Sequence, residues 1–196
     1  MSRIKLQCLA FAGLAGVSQL AAAHTGVTAS YDLLHGFQHV LFGLDHFLAM
    51  LGLGLWASSQ SRWLAKRAVA GFGLCMAAGA LLGWMGFGFA YLETAVLVSL
   101  LLVGAALSLG TDKCPKLMLL AAIAAFAAVH GLVHGREMPA DASVQGYIIG
   151  IVSASMSLYL GGWALGLLAR RANRGGLIRL YGTMAGIAGA WLLFAS

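Results

Sequence analysis

Long apolar runs separated by short polar patches set the pattern of this chain. Behind an N-terminal stretch, six runs recur at approximately 34–57, 69–85, 93–109, 117–134, 144–168 and 177–194. Each is close to the ~20 residues that carry a helix across a ~30 Å hydrocarbon layer. The alternation of apolar and polar positions that a membrane barrel requires is missing, so helices are the way these segments satisfy their backbone in lipid. The predicted fold is all-α, a polytopic membrane protein with a bundle of six transmembrane helices.

Residues 1–23 read differently. Arg3 and Lys5 precede an apolar run from Leu6 to Leu20, and Ala21, Ala22 and Ala23 follow. That is the three-part pattern of a cleavable signal peptide with an Ala-x-Ala site. The run is short for an uncleaved span, the alternative reading. Cleavage after Ala23 makes His24 the mature N-terminus, outside the cytoplasm, and leaves residues 24–196 as one six-span domain.

Composition sharpens this. With 61% hydrophobic and 9% charged residues in 196, the apolar runs cannot be hidden in one small soluble core. A net charge of +6 would suit a nucleic-acid partner if the cations were clustered on one surface. Instead they sit in short connections: Arg62, Lys66 and Arg67 in one, Lys113 and Lys116 in a second, Arg170, Arg171 and Arg174 in a third, with Arg179 just beyond. The intervening connections hold only Arg136. By the positive-inside rule the three basic loops face the cytoplasm, and both mature termini face the periplasm. The partners expected are lipid and a small ion, no nucleic acid; a homo-oligomer is left open. Cys8, Cys75 and Cys114 form no CxxC or CxxCH pattern, so neither a disulfide framework nor covalent haem is indicated.

Trp56, Trp63, Trp84, Tyr91, Tyr147 and Trp191 fall near predicted span ends, as an aromatic belt would place them. Glycines repeat at four-residue spacing at Gly79 and Gly83, Gly146 and Gly150, Gly162 and Gly166, and Gly182 and Gly186. Such pairs let helices approach closely in lipid and signal packing, without chemistry of their own.

Against this background the ionisable residues stand out. His24, Asp32, His35, His39, Asp45 and His46 gather at the head of the first run; His130, His134 and Glu137 form a second block at the outer end of the fourth. On one continuous helix His35, His39 and His46 fall within ~40 degrees of each other, with His46 roughly 16 Å deeper than His35. Asp45 points about 80 to 100 degrees away from His46, placed to orient an imidazole or meet a neighbouring helix. His130, His134 and Glu137, at spacings of four and three, share a face as well, and Glu93 begins the third span on the same side. Ionisable groups in hydrocarbon cost several kcal/mol unless they pair or face water, so an intramembrane Asp-His pair is a candidate functional site. Imidazole and carboxylate suit nickel, cobalt and zinc alike, and a carboxylate beside a ligating histidine fixes its tautomer. A lone histidine in a span is often a hydrogen-bonded packing residue, the plain reading of His35. Met50 and Met138 read as packing residues.

The stretch HGFQHVLFGLDHFLAMLGLGLWA, with HGLVHGREMP downstream, resembles the HupE/UreJ family of small nickel and cobalt permeases found beside hydrogenase and urease genes in bacteria. His39, Gly43, Asp45, His46, Ala49 and Met50 occupy the positions of its first motif, and His130, Gly131, His134, Gly135, Glu137 and Pro139 those of its second. Val40 stands where the family usually has proline, which would remove a backbone donor beside His39. The resemblance implies a secondary transporter of the bacterial inner membrane, not an enzyme, carrying Ni2+ or Co2+ from periplasm to cytoplasm as substrate, with no permanent cofactor. His24, His39, Asp45, His46, His130, His134 and Glu137 are its expected ligands, with Asp32, His35 and Glu93 as further candidates. The chain has no GxxxxGK[ST] phosphate loop and no HExxH. The chief rival is a b-type haem protein with His46 and His130 or His134 as axial ligands, which needs two facing imidazoles across a wide gap.

Overall fold

The computed structural model describes residues 29–195. The predicted signal peptide and His24 lie outside these residues. Seven helices are described: α1 Ala29–Phe42, α2 Leu44–Ala57, α3 Arg62–Trp84, α4 Leu92–Leu109, α5 Lys116–Arg136, α6 Val144–Arg171 and α7 Gly175–Ala195, with no strand among the described residues. The five from α3 to α7 are long and apolar enough to cross a membrane.

The first predicted span is not one helix. The chain bends by 80° between α1 and α2, each of 14 residues. At 1.5 Å per residue each is about 21 Å long, short of a ~30 Å core. The break is Gly43, extended at φ −71°, ψ 110°. Its N–H still donates to His39 O at 3.1 Å and its carbonyl accepts from Phe47 N at 2.8 Å, so the backbone stays bonded on both sides of the bend. The space is what demands glycine: a Cβ here would lie 2.7 Å from Cδ2 of His46. Val40, fully buried, lies inside α1, three residues before the bend.

α1 and α2 both lie along α6, α3 along α5, and α4 along α7. The predicted role of spaced glycines is visible at their contacts. Gly79 and Gly83 of α3 face the backbone of Ala128 and Leu132 on α5, while Gly131 and Gly135 of α5 face Met76 and Ala80 in return. Gly54 and Gly162 let α2 and α6 approach in the same way. In lipid, where apolar burial gives helices no drive to associate, such backbone contact is a main source of cohesion.

The three basic connections share one end. Trp56 Nε1 at the end of α2 donates to Thr111 Oγ1 in the α4–α5 connection at 2.9 Å, and Gly166 of α6 lies against the side chain of Ser58. Trp63, Trp84, Tyr91 and Trp191 are exposed, as belt residues should be. Trp56 and Tyr147 are instead core residues: Trp56 is bonded to Thr111 of the α4–α5 connection, and Tyr147 of α6 lies beside His35 of α1.

Candidate metal centre

The bend determines the site. A straight first span would carry His46 away from His39 along a stripe; the 80° turn at Gly43 brings the two rings to 6.1 Å between centroids. The C-terminal end of α5 fits into this elbow. The reason lies in the spacing of its second motif, in which histidine and glycine alternate as neighbours. Gly131 and Gly135 press against α3, which leaves His130 and His134, one position earlier in each turn, directed at α1 and α2.

The result is a continuous group of imidazoles. The His134 ring lies 4.4 Å from that of His46 and 5.2 Å from that of His39, and the His46 ring 5.6 Å from that of His130. Glu137, just past the end of α5, completes it. Its Oε2 is 3.1 Å from His39 Nε2 and 3.6 Å from His134 Nδ1. His39, His46, His134 and Glu137 each offer one donor atom within 4.8 Å of all the others. An ion bound at about 2.1 Å would hold opposed ligand atoms about 4.2 Å apart, so small side-chain shifts close the set around one cation.

Burial increases inward. His39 and Glu137 are 34% and 40% exposed and form the mouth; His46 is 9% and His134 0%. His130 is fully enclosed behind them. Its Nδ1 donates to the Phe126 carbonyl at 2.9 Å, since a carbonyl can only accept, which leaves Nε2 carrying the lone pair when the ring is neutral. That Nε2, His46 Nδ1 and both ring nitrogens of His134 are buried without a hydrogen-bond partner among the described residues. Buried nitrogens left unbonded are costly in a low-dielectric interior, and a cation is the partner whose arrival would satisfy several at once. For Glu137, burial raises the pKa, but the imidazoles of His134 and His39 beside it outweigh this and hold the carboxyl well below the usual carboxylate range. The mouth therefore carries a negative charge.

The other sequence candidates take different places. Asp45 Oδ2 is 3.8 Å from His46 Nδ1, in the first turn of α2 and partly exposed, beside the ring it was expected to orient. Asp32 is buried, and its Oδ2 accepts from the backbone N of Ser143 at 2.9 Å, which ties α1 to the start of α6. His35 packs its ring 5.9 Å from that of Tyr147. Glu93 is exposed in the first turn of α4 and stands outside the four-donor group. Met50 is buried in the core and Met138 packs against it. Helical spacing does not reveal the break at Gly43, a position the first motif contains. The available signal was a glycine inside an apolar helix directly ahead of an acidic first turn, the pattern of a new helix start. A haem would have to place its macrocycle between two of these imidazoles, and rings in tilted or edge contact leave no such slot.

Fold and site together define a helical membrane protein with histidine and carboxylate donors converging toward one end of the bundle, away from the basic connections. The chain belongs to the HupE/UreJ family: the model of that family, described as HupE / UreJ protein, matches residues 12–192. It is similar to Protein HupE of Rhizobium leguminosarum bv. viciae, with 33% identity over 179 residues, 89% of this chain and 90% of that protein. No solved structure matches it.

Proposed function

We propose that this protein is a permease of the bacterial inner membrane that moves Ni2+, with Co2+ as a second substrate, from periplasm to cytoplasm to supply a nickel enzyme such as a hydrogenase or urease. The observation that carries this reading is the convergence of His39, His46, His134 and Glu137 from two separate parts of the chain. Membership of a family associated with nickel and cobalt transport supports the choice of metal, which nitrogen and oxygen donors alone leave open.

His39 and Glu137, with His24 if the signal is cleaved after Ala23, capture the hydrated ion. His46 and His134 exchange its water for imidazole, with Asp45 orienting His46 and supplying counter-charge. His130 Nε2 is the next donor inward. Without a phosphate loop, the ion's own gradient and the membrane potential drive entry, the latter worth about 2.3 kcal/mol per charge per 100 mV.

The test is uptake of radiolabelled nickel by cells expressing wild type, Asp45→Ala or His46→Ala, with cobalt and zinc as competitors and membrane insertion checked in parallel. Both substitutions are expected to abolish uptake without loss of insertion. Normal uptake in His46→Ala would remove the site, and stronger competition by zinc than by cobalt would change the assigned metal.

A further inference from the structure

A second concave feature lies at the opposite end from the donor cluster. A cavity of about 570 Å³ opens between the α2–α3 connection, α3 and α6. Arg62, Lys66 and Arg171 line it, and no acidic residue does. Each of the three is exposed, and none makes an ion pair with a described residue. Asp112, the described acid at this end, sits on the α4–α5 connection and takes no part in the lining.

Positive charges in cytoplasmic loops orient a membrane protein without any ligand. These three differ from Lys113, Arg174 and Arg179 in being gathered around one hollow. Tyr159, 2% exposed, also lines the cavity, and its hydroxyl has no hydrogen-bond partner among the described residues. Leu160, Trp163 and Leu167 of α6 form an apolar wall to the same cavity, with Leu160 and Trp163 exposed toward the surroundings. Unneutralised cations beside an apolar wall match a ligand that is anionic at one end and greasy at the other.

We propose that this cavity holds the phosphodiester headgroup of an anionic phospholipid, with Arg62, Lys66 and Arg171 around the phosphate and an acyl chain along Leu160 and Trp163. Basic pockets between helices on the cytoplasmic side are suited to such headgroups, and guanidinium forks match phosphate oxygens. The site stands apart from the transport reading and does not depend on it. Were a divalent cation to leave by this end, a bound phosphate would cancel the repulsion that three unpaired cations exert on it.

The experiment uses the full chain purified in neutral detergent. Thermal unfolding is followed with added phosphatidylglycerol, phosphatidylcholine or inorganic phosphate, for wild type, for Arg62→Gln/Lys66→Gln/Arg171→Gln, and for Lys113→Gln/Arg174→Gln/Arg179→Gln, which removes equal charge outside the cavity. Phosphatidylglycerol is expected to raise the midpoint of wild type and of the second triple variant by ~3 °C or more, and that of the first by none. An equal rise in both triple variants would reduce the effect to general charge attraction and overturn the site. An equal rise with inorganic phosphate would replace the lipid by a free anion, and no rise in wild type would remove both. If the first triple variant does not fold, Lys66→Gln and Tyr159→Phe are compared with Lys113→Gln for phosphatidylglycerol retained in native mass spectrometry. Equal retention in the three would likewise overturn it.

Discussion

His39 Nε2 and Glu137 Oε2 lie 3.1 Å apart across 98 positions of sequence, and this contact joins the end of α1 to the end of α5 at the exposed mouth of the donor cluster. An arriving cation must part the two groups and then be held by both. Glu137→Gln keeps the size and a hydrogen bond to His39 but removes the charge. Nickel affinity is expected to fall by about tenfold or more, in the range found when groups supporting a metal site are altered, while the purified protein unfolds at an unchanged temperature. Titration calorimetry in detergent measures the first and a melting curve the second. Unchanged affinity would take Glu137 out of the donor set.

Acid should weaken capture, and the carboxylate is not the group responsible. A carboxyl held below its ordinary range contributes stability that is present above its unfolded pKa and is lost as pH falls through the folded value. For Glu137 the folded value is depressed by the imidazoles of His134 and His39 beside it. It therefore stays ionised from pH 7 to about 5, so a dependence on pH in this interval belongs to protons competing with the metal for ring nitrogens, which must be neutral to ligate. The affinity for nickel is expected to decline over this interval with proton release on binding. Glu137→Gln should lower the curve without flattening it, and a flat curve in that variant would assign the pH dependence to the carboxylate instead.

How much of this was readable beforehand differs between the blocks. The face shared by His130, His134 and Glu137 followed from spacing alone, because α5 is one unbroken helix. The grouping of His39 with His46 was also anticipated, but for a reason that does not hold: helical periodicity assumes a straight axis, and the axis turns at Gly43. Intrinsic glycine propensity is a weak guide in a chain with 27 glycines, many of which serve close packing. Asp32 shows the other limit. Its proximity to His35 in sequence suggested a ligand, whereas the backbone N–H of Ser143, 111 positions away, is what it bonds. Which polar partner a buried side chain finds is set by tertiary contacts that spacing does not encode.

Gly43→Ala tests whether the elbow makes the site. The backbone at φ −71° is open to alanine, so the chain need not be strained. The added methyl would meet the imidazole of His46, 2.7 Å from Cδ2, and the ring must turn away from His134 to make room. Nickel binding is expected to drop by about tenfold or more, with a change in melting temperature of under ~3 °C, since the obstructing atom belongs to a side chain at the edge of the core. Retention of full affinity would mean that the position of His46 does not depend on the absence of a side chain at residue 43.

Gly135→Ala should give the opposite division. Here the new methyl would collide with the carbonyl oxygen of Ala80, and with the backbone N of Trp84 behind it, so no rotamer change can relieve the contact. α5 must move away from α3, at a cost of about 1–3 kcal/mol for overpacking. Midpoint and yield in detergent are both expected to fall, by ~3 °C or more for the midpoint. Because His134 is the preceding residue, nickel affinity should fall with them. Ala80→Gly offers no rescue, because the obstruction is main chain. A variant in which Gly135→Ala is restored to wild-type stability by Ala80→Gly would show that α3 and α5 are not in backbone contact at this level, and the orientation of the second histidine block would need another cause.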